Sequence, residues 1–278
     1  MIAFVASALA FDGPVWWVKT AVGGGVFPDG AISRTTAQYR APLHRSESIV
    51  FRDTYAGAGL RAVFTPVFAD GGAVFSLAPI DVFDVDLSAG AATYYSWGGN
   101  GLLAFDAPEG KLTDDRHARE GEDLSTGMLY ASAAPTLKAK LGPVIAFDAW
   151  TISYVAFDRA ADAPFVYEPG RDLVVAWQDV TTEHQAGLLY QILPGKDRPL
   201  LNVGATFRDR KAYGSGDRSA VVGGLVAAKP GTSTAIPTIV VQGLAYVIDA
   251  DRVGREPNVQ LLLSWVIEKP ATPKPAEN

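Results

Sequence analysis

Apolar and polar residues alternate with a period of two through most of this chain, in runs too long for an ordinary globular strand. From Phe83 to Trp97 one parity reads Phe83, Val85, Leu87, Ala89, Ala91, Thr93, Tyr95 and Trp97. The other reads Asp84, Asp86, Ser88, Gly90, Ala92, Tyr94 and Ser96. Successive side chains of a strand point to opposite faces, so one face is apolar and the other polar or tiny. Leu129, Ala131, Ala133, Leu137, Ala139 and Leu141 alternate likewise with Tyr130, Ser132, Thr136, Lys138 and Lys140. Leu201, Val203, Ala205 and Phe207 alternate with Asn202, Gly204, Thr206 and Arg208. Val259, Leu261, Leu263, Trp265 and Ile267 oppose Asn258, Gln260 and Ser264, and Trp16, Val18 and Val22 oppose Lys19 and Gly23. A globular strand has roughly five or six residues. A strand that crosses a bilayer at a tilt needs ~9–11.

Helical period is nearly absent, and no segment approaches the ~20 apolar residues of a membrane helix. With 48% hydrophobic and 19% charged residues the chain is not of a disordered kind. A net charge of −6 argues against non-specific nucleic-acid binding. There is no cysteine, which excludes disulfides, thiolate metal sites and a cysteine nucleophile. The predicted fold class is therefore all-β: a single antiparallel transmembrane β-barrel. The main alternative is a secreted β-sandwich, which would bury its apolar faces in a core.

The long polar stretches 28–53 and 98–124 read as outer loops; tight turns are expected around Pro79–Phe83, at Leu141-Gly142-Pro143 and near Pro169-Gly170. With that parity the strands run 15–27 up, 57–78 down with a bulge at Asp70-Gly71-Gly72, and 83–97 up. Then follow 126–140 down, 143–157 up, 163–168 down, 171–178 up and 184–193 down. The last four are 199–211 up, 218–229 down, 236–249 up and 257–268 down. The count is about twelve, with ten to fourteen allowed, and both termini face the periplasm. Met1–Ala10 read as a signal-peptide remnant cleaved near Phe11, 11–268 as the barrel, and Lys269–Asn278 as a disordered tail.

The block LRAVFTPVFADGGAVFSLAPIDVFDVDLSAGAATYY (60–95), with LKAKLGPVIAFDAW (137–150), DLVVAW (172–177) and IPTIVVQGLAY (236–246), resembles outer-membrane β-barrel proteins of myxobacterial type. The resemblance covers much of 55–267 and rests on strand and turn patterns. It implies a bacterial outer-membrane location, no established activity, and as partners the membrane lipids, lipopolysaccharide and the barrel-assembly machinery. Barrels often end on an aromatic that this machinery recognises; here the last strand ends around Trp265-Val266-Ile267, ahead of the tail.

Catalytic chemistry is thinly supplied, and no enzymatic activity is expected. His44 and His117 fall in the expected outer loops. His184 begins a strand and could serve a lipid hydrolase, but no motif marks a partner serine. Asp249-Ala250-Asp251 with Gly254 echoes a calcium loop, but Val253 and Gln260 stand where ligands belong, so a polar turn is the better reading. Gly23-Gly24-Gly25 lies in a strand and is no phosphate loop, and no cofactor or metal is expected.

What remains is inward charge: Lys19, Arg61, Asp84, Asp86, Lys138, Lys140, Arg208 and Arg210. A charge on the lipid face at mid-membrane costs ~2–4 kcal/mol, so charges are expected in the lumen or at a rim. Six of these eight are basic, so an open lumen would prefer anions. Tiny inner residues (Gly57, Gly59, Gly90, Gly204) leave space beside them. The favoured function is a narrow passive channel for small solutes or ions. The alternatives are a closed structural or adhesive barrel and a lipid-modifying hydrolase. The acid-rich 98–124 loop could plug or neutralise the lumen if it folds inward.

Overall fold

The computed structural model describes residues 13–26, 30–44, 54–95, 102–106, 124–158, 162–194, 199–249 and 258–271. Its wall is a closed antiparallel barrel of twelve strands, each paired with its neighbours along the chain. These are β1 (Val15–Val26), β2 (Gly30–Pro42), β3 (Tyr55–Phe64), β4 (Phe68–Ile80), β5 (Phe83–Tyr94) and β7 (Thr126–Leu141). The others are β8 (Val144–Phe157), β11 (Gln178–Pro194), β12 (Leu200–Ala212), β13 (Arg218–Lys229), β14 (Thr238–Ile248) and β15 (Asn258–Pro270). Three short strands, β6 (Leu103–Phe105), β9 (Phe165–Glu168) and β10 (Leu173–Ala176), form a separate sheet in the order β10-β9-β6. Val15 of β1 pairs with Pro270 of β15, so the wall closes with its first and last strands ending together.

Register sets the shape of this wall. Following hydrogen-bonded partners once round it displaces the ladder by about 16 residues, which for twelve strands corresponds to a tilt of about 45°. Strands of this length at that tilt build a wall roughly 30 Å tall.

Alternation decides what each face meets. Leu60 is 69% exposed and Leu129 65%, while Tyr94 and Val155 on inward positions are 1% and 0% exposed. Large apolar side chains left outside make sense only in hydrocarbon. Trp16 packs edge-on against Tyr39 with ring centroids 5.5 Å apart, and Trp265 Nε1 donates to Ala235 O at 3.1 Å, both toward the end that carries the termini. A closed wall that is apolar outside and polar inside satisfies its backbone without edges, as a bilayer requires. The chain is a transmembrane barrel of outer-membrane type.

Local chemistry explains the hairpins. Thr65 Oγ1 accepts from the amides of Val67 and Phe68 at 3.1 and 2.9 Å, which turns β3 into β4. Gly142, with φ of 56°, makes the β7–β8 turn. Inside, Tyr130 lies across Gly72 and Gly90 where no side chain could stand, and its hydroxyl donates to Asp70 Oδ1 at 2.7 Å.

The expected strand map needs four corrections. Residues 28–53 are not one outer loop, because 30–42 is the wall strand β2 and the connection after it lies at the termini end. Residues 57–78 are two strands joined at 65–67 rather than one. The ladder runs unbroken through Asp70-Gly71-Gly72; the irregularity on β4 lies between Leu77 and Ile80. Residues 163–168 and 171–178 are not wall strands, since β9 and β10 pair with each other and β6 pairs with β9. Two strands missed and two added leave the total at twelve. β15 also runs through Pro270, so Lys269 and Pro270 belong to the wall. Residues 1–10, and the tail beyond 271, lie outside the described residues.

Candidate functional site: the lumen and its mouth

The inner wall is built from residues that alternate with the lipid-facing ones. All eight charges singled out above occupy inward positions. Arg61 reaches Asp70 at 3.3 Å, Lys138 reaches Asp84 at 2.7 Å, and Arg210 reaches Glu183 at 2.8 Å. Asp86 accepts from Ser76 Oγ, which itself accepts from Gln38 Nε2 at 2.6 Å. Lys140 donates to Gln191 Oε1 at 2.6 Å. Arg40 of β2 donates to Gln38 Oε1 at 2.9 and 2.7 Å and stacks over Trp17, 3.6 Å from the ring centroid. Among the described residues Lys19, Arg208 and Arg34 (on β2) have no hydrogen-bonded or ion-paired partner. Sequence reasoning missed Arg34 and Arg40 because it placed β2 in a loop. It also left out the inward acids Asp70, Asp179, Glu183 and Glu268, which narrow the basic excess.

A second feature marks the same surface. Among the described residues six buried polar atoms have neither a hydrogen-bond nor an ion-pair partner: Arg61 Nε, Asn202 Oδ1, Arg208 Nε, Asn258 Oδ1, Gln260 Oε1 and Ser264 Oγ. All six belong to inward positions. An unmade hydrogen bond on a buried polar group costs about 1–3 kcal/mol. Water or a polar solute in the lumen would satisfy them. Beside this polar surface lies an apolar patch of Ala21, Phe147, Leu189, Leu225, Val240 and Leu262.

The mouth at the end away from the termini is filled. Val166, Leu173 and Val175 of the small sheet pack in one cluster with the inward residues Tyr94, Met128 and Val155. Glu168, 1% exposed, accepts from Tyr94 Oη at 2.6 Å, from the Gly170 amide at 2.9 Å and from Arg171 Nη1 at 2.9 Å. Burial opposes the Arg171 charge, but the Glu168 carboxylate and Tyr94 outweigh it, and the guanidinium is held above its usual range. Toward other strands, Asp172 accepts from Tyr167 Oη at 2.8 Å and from Tyr246 Oη of β14 at 3.0 Å, with Arg210 at 3.9 Å. Asp217 Oδ2 accepts from the Val174 amide at 2.8 Å. Asp172 holds φ of 56°, a backbone state uncommon outside glycine and asparagine, so these partners fix a strained corner. Of the stretch 98–124, β6 joins the small sheet, and of its seven acids only Asp106 lies among the described residues.

One group of charges faces the other way. Asp148 on β8 and His184 on β11 share the parity of the exposed Trp150, Ile152, Val180 and Leu188, so both face the bilayer. His184 Nε2 lies 3.0 Å from Asp148 Oδ2, and its ring stacks on Trp150 with centroids 4.2 Å apart. Asp209 of β12 is also outward and receives Arg218 at 2.8 Å. Counting along strands tilted by about 45° places Asp148 and His184 in the middle third of the wall. There, ionised groups cost up to ~2–4 kcal/mol on the lipid face. Inward-only placement of charge is therefore corrected for these residues. The His184 ring meets a carboxylate rather than a serine. His44 lies in the connection after β2, at the termini end rather than in an outer loop. His117, Asp251, Val253 and Gly254 lie outside the described residues. Among the described residues no group of three or more His, Asp or Glu could hold a metal ion.

No family model and no curated protein matches the chain. Solved structures do resemble it. The β-domain of the Bordetella autotransporter BrkA is 13% identical, with a TM-score of 0.47 over 91% of this chain and 99% of that one. The translocator domain of the autotransporter NalP from Neisseria meningitidis is 12% identical, TM-score 0.42, over 94% and 90%. An outer-membrane channel from Pseudomonas putida F1 is 13% identical, TM-score 0.39, over 96% and 100%. These are similarities of chain path, and the activities of those proteins are their own.

Proposed function

We propose that this chain is a narrow outer-membrane channel for small solutes or ions, with a modest preference for anions, gated at its outer mouth by the β6–β9–β10 sheet. The carrying observation is the set of six unsatisfied polar atoms, all on inward positions. A barrel built only to be closed would pair its lumen groups with one another, because an orphaned buried polar group costs stability. The sign of the preference follows from inward cations without a hydrogen-bond or ion-pair partner among the described residues, Lys19, Arg34 and Arg208, with Lys229 at the near rim; the paired charges largely cancel. Passage requires the small sheet to move, since it occupies the mouth. The second reading, a closed structural or adhesive barrel, is favoured by the anchors at Glu168 and Asp172. The proposal includes no catalytic step: His184 faces lipid beside a carboxylate, and the barrel's partners are the membrane lipids, lipopolysaccharide and the assembly machinery. Phospholipid hydrolysis that disappears in His184→Ala would overturn that part.

The test is current across a planar bilayer under a salt gradient. Small steps with a reversal potential on the anion side are expected. Changing Lys19, Arg34 and Arg208 together to Gln should remove most of that preference. Silence of folded protein, even after the small sheet is deleted, would leave the closed barrel as the account.

A further inference from the structure

The inner wall differs from one side of the barrel to the other. On β8, β11, β13, β14, β15 and β1 the inward residues Phe147, Leu189, Leu225, Val240, Leu262 and Ala21 belong to one apolar cluster. Leu262 lies over Gly23 of β1, and Phe147 over Gly187 of β11, where an added Cβ would collide with them. These side chains therefore run along the wall rather than across the lumen. On β2–β7 the inward positions are polar, with Arg34, Thr36, Arg61, Asp70, Ser88 and Ser132. The two sides meet at the β1–β2 seam, where Ala21 is the register partner of Arg34 and Lys19 that of Thr36. Arg34 faces inward and is nonetheless exposed, as an open lumen at this level allows. The nearby acids are engaged elsewhere, Asp70 by Arg61 and Tyr130, and Glu183 by Arg210. On the other flank of Ala21 stands Ser264, 2% exposed, whose Oγ has no partner among the described residues.

We propose that this seam binds a small organic anion with an apolar body, an aromatic monocarboxylate. Its carboxylate meets Arg34, with Lys19 on the neighbouring strand, and its ring lies on Ala21, Leu262 and Val240. The inference rests on the channel reading and names its solute class. An inorganic anion would answer the cations and leave the apolar patch bare. A neutral hydrocarbon would cover the patch and leave the Arg34 charge unmatched. A molecule with both ends answers both. A guanidinium takes a carboxylate through two parallel hydrogen bonds, which fixes the direction of the bound anion. Contact with the patch then removes the ring from water. Ser264 Oγ adds a donor beside Ala21, and an apolar surface with a few converging polar groups is the usual make of a small-molecule site.

The probe is benzoate, compared with acetate, which lacks the ring, and benzamide, which lacks the charge. Each is added at neutral pH while chloride current is recorded in a planar bilayer. Benzoate should halve the current at a concentration about tenfold below that of acetate, and benzamide should leave it unchanged. Arg34→Gln and Leu262→Gln should each raise the half-blocking concentration of benzoate about tenfold, whereas only Arg34→Gln should shift that of acetate. Heat-modifiable migration on gels shows that each variant is a folded barrel. Equal block by acetate and benzoate, or by benzamide and benzoate, overturns the proposal and leaves the channel standing. If folded protein carries no current, the channel reading itself fails. Saturation-transfer NMR of benzoate, on nanodiscs with and without the protein, then decides the site. Transfer that needs the protein and is lost in both variants supports it, and no transfer overturns it.

Discussion

Replacing Glu168 by Ala should loosen the gate without unfolding the wall. Glu168 lies in the small sheet rather than in the barrel ladder, and three donors converge on its carboxylate: Tyr94 Oη, the Gly170 amide and Arg171. Truncation strands all three. Breaking a buried ion pair from one side costs about 3–5 kcal/mol because the other charge stays behind. Arg171 keeps 24% of its side chain exposed and can recover some hydration, so the lower end, about 3 kcal/mol, applies. Each 1.4 kcal/mol is about a factor of ten, which makes the docked sheet roughly a hundredfold less favoured. The assay is open probability in a planar bilayer, read beside protease sensitivity of 158–177 in intact cells. Both should rise, while heat-modifiable migration of the barrel stays unchanged. Glu168→Gln keeps an acceptor for Tyr94 and should fall between. If Glu168→Ala leaves open probability and protease sensitivity at wild-type values, the sheet is no gate.

Three further outcomes follow from the wall. Gly90→Val drives a side chain into the Tyr130 hydroxyl and the backbone of β4, and should cost about 1–3 kcal/mol in urea unfolding followed by gel shift. Leu60→Arg puts a charge on the lipid face at mid-belt and should cost ~2–4 kcal/mol in the same assay, whereas Ser88→Arg on the inner face should cost less. Lys138 and Lys140 changed together to Gln should reduce anion preference, and unchanged selectivity would remove them from the conduction path.

The alternation that revealed the barrel failed where its amplitude was low. β2 carries Ala31, Ser33, Thr35 and Ala37 on its outer face and Arg34, Thr36, Gln38 and Arg40 inside, so hydropathy hardly alternates and the stretch passed for a polar loop. The β3–β4 turn holds Pro66 but no Gly or Asn, and Thr65 does the capping. β9 and β10 were mistaken for wall strands although each has 4 residues, far short of a bilayer crossing. Leu173, Val174 and Val175 are apolar in succession, the mark of a strand covered on both faces, and that signal could have placed them in the mouth. The inward parity of the eight charges was legible because each sits opposite a run of lipid-facing residues. Asp148 and His184 were not, because expecting charge to avoid lipid left no place for a pair that faces it.

The claim that one parity meets a wet lumen and the other meets lipid can be tested along a single strand. Single cysteines at Asp84, Asp86 and Ser88, and at Val85, Leu87 and Ala89, probe both faces of β5 in a chain otherwise free of thiols. The account predicts that a hydrophilic maleimide labels the first three and a lipid-dissolved thiol reagent labels the second three. Equal protection of both sets from the hydrophilic reagent, or labelling with the parities reversed, would contradict it.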